Sequence, residues 1–174
     1  MTDDAVPWLS VEQQVSWRAF LQGASRLTEG LNRQLERDAG LSVSEYEILS
    51  RLSGTPGRTL RMSDLAIGLV HSRSRLTHTV GRLESRDLVE RRPCPDDRRG
   101  VNCVMTDAGY ELLVGMAPGH VRAVRELLVD RLTAAELRAL GATMTKVASN
   151  PSAGRASSSG TQERAREGLT TATV

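Results

Sequence analysis

Seven side chains able to hydrogen-bond nucleic acid crowd into one short stretch: Ser72, Arg73, Ser74, Arg75, Thr77, His78 and Arg82. Hydroxyls, an imidazole and guanidinium forks are groups that reach base edges and phosphate oxygens. A second set follows in the run PDDRRG, where Asp96 and Asp97 precede Arg98, Arg99 and Gly100. Arginine at the tip of a projecting turn suits the minor groove, whose negative potential attracts it. Asp97 would repel phosphate unless it braces the turn by orienting a neighbouring guanidinium through charge-assisted hydrogen bonds. Solvated polar hairpins often look the same, so the second set gains meaning only from standing behind the first. Bond-making chemistry has no comparable set. The histidines are His71, His78 and His120, and none stands in a nucleophile or metal motif, so neither catalysis nor a metal or cofactor is expected.

Two elements must position these groups. A helix over residues 73–86, with Ser72 as N-cap, places Leu76, Val80 and Leu83 on one side for the core. Ser74, His78, Gly81 and Ser85 then lie opposite, flanked by Arg75, Thr77 and Arg82. Gly81 costs a helix about 1 kcal/mol relative to alanine, and a close approach to a groove would explain it. The short strands 88–92 and 101–105 bracket a polar turn at 95–100. Before the helix, a short one at 62–69 carries Leu65, Ala66 and Leu69, and follows the breaker run GTPGR and an extended piece near Thr59 and Leu60. Helix, turn, helix and basic-tipped hairpin make a winged helix-turn-helix, which is mainly α with a small β-wing (α+β).

Longer helices flank this lobe. From Val11 to Ala39, Trp17, Phe20, Ala24, Leu27, Leu31 and Leu35 recur at spacings of three and four, and Gly40 supplies the stop. Ser44 and Glu47 read as a capping box for the next helix, whose apolar residues are Tyr46, Ile48, Leu49 and Leu52. Thr106 caps a long helix through Leu112, Leu113, Met116, Val124, Leu127 and Leu128, with a kink expected at Pro118 and Gly119. Thr133 and Glu136 open a last helix with Leu137, Leu140, Met144 and Val147 on one face. The organisation expected is an N-terminal arm at 1–10, dimerisation helices at 11–40 and 107–149, a winged lobe at 41–106, and a disordered Ser- and Gly-rich tail at 150–174. The terminal helices carry more apolar surface than so small a lobe covers, which favours a two-fold homodimer over helices that cover only their own domain.

Bulk properties agree. In 174 residues with 39% hydrophobic and 3% aromatic content, there is room for one largely aliphatic core. The net charge is only +2, but residues 58–99 hold ten Arg against six Asp and Glu, so the positive charge sits on the reading segment. Of 23 basic residues all but Lys146 are Arg, a bias that a GC-rich coding sequence also produces; position, not abundance, is therefore the argument. Cys94 and Cys103 are too few for a disulfide scaffold. Neither a secretory signal nor a membrane-length apolar run is present, so a cytoplasmic protein is expected, with no membrane partner.

The stretches GLSVSEYEILSRL, LRMSDLA, SRSRLTHTVGRLESRDLVERR, PDDRRGVNCVMTDAG and APGHV resemble the multiple-antibiotic-resistance regulator (MarR) family of bacterial transcription factors. The resemblance spans about residues 10–149, and the wing pattern of Asp97 and Arg99, followed by Met105, Thr106 and Gly109, is rather specific. It implies a triangular homodimer whose two winged lobes grip palindromic double-stranded DNA, usually as a repressor. It also implies release by a small aromatic or phenolic ligand between the dimer and DNA-binding regions. Trp17 and His120 stand where they could line such a pocket, although ordinary packing is the favoured reading of both. The position of His78 is often Arg in the family, which leaves the operator open. Some relatives sense oxidants through a cysteine in the first helix; here Cys94 and Cys103 flank the wing instead, either as a cross-hairpin disulfide or, as a reducing cytoplasm favours, as two thiols. A winged-helix protein-interaction module and a non-specific DNA binder remain the alternatives, and the polar face of residues 74–78 argues against the first.

Overall fold

The computed structural model describes residues 6–69, 72–95 and 97–149, the side chains of Arg98 and Arg99 excepted. The expected tail at 150–174, together with His71 and Asp96, lies outside the described residues.

Helix α1, Val11–Ala39, starts where Ser10 and Gln13 exchange side-chain and backbone hydrogen bonds, and ends at Gly40 with φ 61°, the left-handed cap expected of that glycine. Helix α2, Val43–Ser53, corrects the sequence reading by starting two residues sooner. Its capping box is Ser42 and Glu45, not Ser44 and Glu47. The motif S-x-x-E occurs twice in this segment, and tertiary contacts choose between the copies. The earlier start lets the Val43 N–H donate to Asn32 Oδ1 on α1 at 2.9 Å and turns Glu45 inward, leaving Glu47 in solvent.

Strand β1 (Thr59–Arg61), helix α3 (Met62–Leu69) and helix α4 (Arg73–Glu84) follow, and Ser72 caps α4 through Arg75 N as expected. The wing is longer than the sequence suggested. Strand β2 covers Val89–Cys94 and β3 covers Asp97–Met105, in a sheet of order β1-β3-β2 with both pairings antiparallel. Arg98, Arg99 and Gly100 are thus strand backbone instead of turn. The register slips between Pro93 and Cys94, where proline cannot donate to the ladder. Cys103 faces Arg91 and Leu60 across the sheet while Cys94 faces Asp97, so the two cysteines are not opposed and both are free thiols.

Helix α5, Asp107–Leu127, is capped by Thr106 and runs through Pro118 as one helix, followed by a short 3-10 turn and α6, Ala134–Ala148, which opens on the expected Thr133 and Glu136 box. The core lies where α2, α3, α4 and the sheet meet the inner ends of α1 and α5. Leu35, Ile48, Leu49, Leu52, Leu65, Val80 and Leu83 are fully buried there. Beyond it, α1 is stripped of partners: Trp17 is 51% exposed and Phe20 43%, and no residue of α6 is buried.

Candidate nucleic-acid interface

Helix α4 divides as its sequence dictates. Leu76, Thr79, Val80 and Leu83 are buried, while Ser72, Arg73, Ser74, Arg75, Thr77, His78 and Arg82 are all exposed on one continuous surface. A β-carbon at Gly81 would meet nothing within 4 Å, so no contact inside the protein demands glycine there. Several of the polar groups are pre-oriented. Ser72 Oγ accepts from Arg75 N at 3.3 Å and lies 3.3 Å from Ser74 Oγ; Thr77 Oγ1 donates to Arg73 O at 2.8 Å. No hydrogen bond or ion pair holds the side chains of Arg73, Arg75 or His78 among the described residues.

Arg82 differs from its neighbours. Its Nε lies 3.1 Å from Oε1 of Glu45, a carboxylate that is only 1% exposed. That oxygen has no aligned hydrogen-bond donor, so the pair is one of charge and distance more than of hydrogen-bond geometry. The other oxygen accepts from Ser42 N at 2.8 Å and Ser42 Oγ at 2.7 Å. Such a buried carboxylate is tolerable because it sits in the first turn of α2, where unpaired backbone N–H groups and the helix dipole favour negative charge.

Two further arginines tie the end of α4 to its neighbours, and a third braces the wing. Arg86, just past α4, donates to the carbonyls of Gly40 at 2.7 Å and Ala39 at 2.9 Å, neutralising the end of α1. Arg91 on β2 holds Glu84 through its Nε at 2.9 Å and its backbone N–H at 3.1 Å, and this bonding keeps the Glu84 carboxyl below its usual range. Arg61 on β1 donates to Asp97 Oδ2 at 3.3 Å at the wing tip. Asp97 is therefore engaged by a cation from another strand as well as being adjacent to Arg98 and Arg99, whose side chains lie outside the described residues. Sequence reasoning missed Glu45, Arg61, Arg86 and Arg91. Only Glu45 left a trace, in the doubled S-x-x-E motif.

Cys103 is fully buried under this sheet, and loss of water pushes its thiol up to about 12, with Glu84 adding to the shift and Arg91 opposing it. From a starting value of 9.0, the thiolate at pH 8 falls by roughly three orders of magnitude. A disulfide-exchange reagent at pH 8 is expected to leave Cys103 unmodified in the folded protein and to label it on denaturation; mass spectrometry of the labelled peptide reads the result. Because unfolding exposes a thiol that ionises near 9.0, this group's contribution to stability is intact below that pH and is lost as pH rises towards 12.

At the joint between lobe and long helices, the His120 ring packs on Tyr46 with centroids 4.2 Å apart, and its Nδ1 lies 3.0 Å from Gln34 Oε1. Gln34 donates onward to Asp38 Oδ2 at 2.9 Å. Burial lowers the His120 pKa, so the ring is neutral at neutral pH. Beside this cluster is an open pocket of about 350 Å3 between α1 and α5, whose wall includes Asp38, Glu111, Leu112, Met116 and Arg122. His120 is a packed residue behind that wall. Trp17 is remote from it, stacked on Phe20 at 5.8 Å on the exposed part of α1.

The same architecture recurs in proteins already solved. Sco3205 of Streptomyces coelicolor, a MarR family transcriptional regulator solved in complex with DNA, is 45% identical, with 84% of this chain and 91% of that one covered at a TM-score of 0.81. The chain belongs to the MarR family of transcriptional regulators. The family's sequence profile matches residues 39–100, from the end of α1 to the wing. AbsC, a MarR family regulator of the same organism, is 39% identical over 81% of this chain and 95% of its own, with a TM-score of 0.77. The transcriptional repressor MprA of Escherichia coli K12 is 28% identical over 63% of this chain, and the match spans 62% of MprA's length. MarR family members regulate transcription and are not enzymes. Among the described residues there is also no cluster able to hold a metal and no helix long and apolar enough to cross a membrane.

Proposed function

We propose that this MarR family chain is a cytoplasmic homodimeric repressor that binds a palindromic DNA operator. One observation carries the reading. The exposed face of α4 consists of hydroxyls, an imidazole and guanidiniums, and it belongs to a fold whose 45%-identical relative was solved in complex with DNA. Helix α4 enters the major groove with Ser72, Arg73, Ser74, Arg75, Thr77, His78 and Arg82, and the wing brings Asp97, Arg98 and Arg99 to the adjacent minor groove. Arg61 supports that use of the wing, since it offsets the charge of Asp97 where phosphate would approach. Two copies join through the bare part of α1 and through α6. Val11, Val15, Trp17, Phe20 and Leu21 are too large an exposed apolar set for a monomer to leave in water. A small aromatic or phenolic ligand in the pocket between α1 and α5 would act on the joint that carries α4, through the neighbouring Gln34 and His120.

Two substitutions test the assignment. Arg99→Ala is expected to weaken binding to every duplex by a similar factor. His78→Ala is expected to relax preference at one base position by about 1–3 kcal/mol and leave other positions unchanged. Electrophoretic mobility shifts against a panel of single-base operator variants distinguish these effects. Parent-like binding by both variants would overturn the site assignment.

A further inference from the structure

We propose that Glu45, which touches no surface that DNA can reach, is a positioning residue for DNA binding and acts by aiming Arg82. The inference rests on the reading of α4 as the recognition helix. Glu45 is a fully buried carboxylate whose Oε2 is occupied by Ser42, while its Oε1 has Arg82 Nε at 3.1 Å and no aligned donor. Capping α2 requires only Oε2. The second oxygen therefore faces a cation on a different helix, in the ion pair that Glu45 makes with Arg82.

The geometry has a directional consequence for Arg82. Its side chain is 57% exposed, and the atom that lies against Glu45 is Nε, the nitrogen nearest the chain. A guanidinium drawn to Glu45 through its Nε keeps both terminal nitrogens for a further partner. An unheld arginine would have to give up rotamer freedom on meeting DNA. Here the buried carboxylate has already restricted it, so more of the phosphate contact is retained as affinity. Lysine has no equivalent of Nε and would not be aimed in this way.

The test is a double-mutant cycle on the full-length protein, using a mixed-sequence 30-base-pair duplex across a range of sodium chloride concentrations. A phosphate contact is independent of sequence, so no operator is needed. Glu45→Gln nearly preserves volume, and its amide oxygen still serves Ser42, while its NH2 group faces Arg82 and repels it. Thermal melting first establishes that each variant is folded at the assay temperature. Arg82→Ala is expected to weaken binding about tenfold and to reduce the salt slope by about one per copy. Glu45→Gln is expected to weaken binding at least about threefold with a reduced slope, and Glu45→Gln with Arg82→Ala to be no weaker than Arg82→Ala alone. Arg82→Lys is expected to lose about threefold despite keeping its charge. Additive losses, a parent-like Glu45→Gln slope or a parent-like Arg82→Lys would each overturn the proposal. If Arg82→Ala is neutral while Arg99→Ala weakens binding, this proposal fails and the DNA-binding reading stands. If the parent itself shows no salt-dependent binding, the reading of α4 fails first.

Discussion

Raising sodium chloride from 50 to 200 mM is expected to cut the affinity for operator DNA by about a thousandfold or more. On the proposed reading, each copy contributes Arg73, Arg75 and Arg82 from α4, and Arg98 and Arg99 from the sequence of the wing strand. If only three of these neutralise phosphates, a dimer releases counterions from about six, and the slope of log affinity against log salt is near −5. The chain's net charge of +2 does not foretell such a slope, because the effect depends on local cation density and not on the total. Fluorescence anisotropy over that salt range measures it. A slope near −1 would leave too few phosphate contacts for a winged dimer and would favour a protein-binding face.

Gly109→Ala is expected to lower the melting temperature by about 10 °C, corresponding to a loss near 3 kcal/mol. Gly109 lies in the first turn of α5, and a β-carbon there would stand 2.1 Å from the carbonyl oxygen of Leu88 and 3.0 Å from its carbonyl carbon. Those atoms are backbone, so no rotamer change relieves the overlap. Leu88 is also committed elsewhere: its N–H donates to Leu83 O at 3.1 Å and its own carbonyl accepts from Thr106 N at 3.2 Å. Moving it would disturb the end of α4, the start of the wing and the cap of α5 together. Gly81→Ala provides the contrast, because a methyl group in open space inside a helix is expected to raise stability by up to about 1 kcal/mol. Differential scanning calorimetry of the two variants decides the matter. A Gly109→Ala protein that melts with the parent would show that the α5–wing joint is looser than its geometry indicates.

The elements and their order were readable from the sequence because local signals were strong and mutually consistent. Gly40 ends α1, Ser72 caps α4, Thr106 caps α5, and Thr133 with Glu136 opens α6, each where a single short-range motif operates without competition. Where two motifs overlapped, local reading failed. Ser42–Glu45 and Ser44–Glu47 are equivalent as capping boxes, and only the non-local contacts with Asn32 and Arg82 select the first. The wing strands ran longer than expected because Pro93, Pro95 and the adjacent charges signal a turn, whereas pairing with β2 extends β3 back to Asp97. The regular register of the hairpin sets Cys103 opposite Arg91, three residues from Cys94. Among site residues, the exposed face of α4 followed from helical periodicity alone. Arg86 and Arg91, which tie α4 to its neighbours, and Arg61, which braces the wing, pair across different elements, and no spacing rule identifies such partners.

The central claim is that two copies of α4 read a two-fold-symmetric sequence. Selecting bound fragments from genomic DNA with the pure protein at physiological salt tests it most directly. The account predicts a short inverted repeat with half-site centres about 10 base pairs apart, one helical turn. Recovery of fragments with no shared sequence would contradict it.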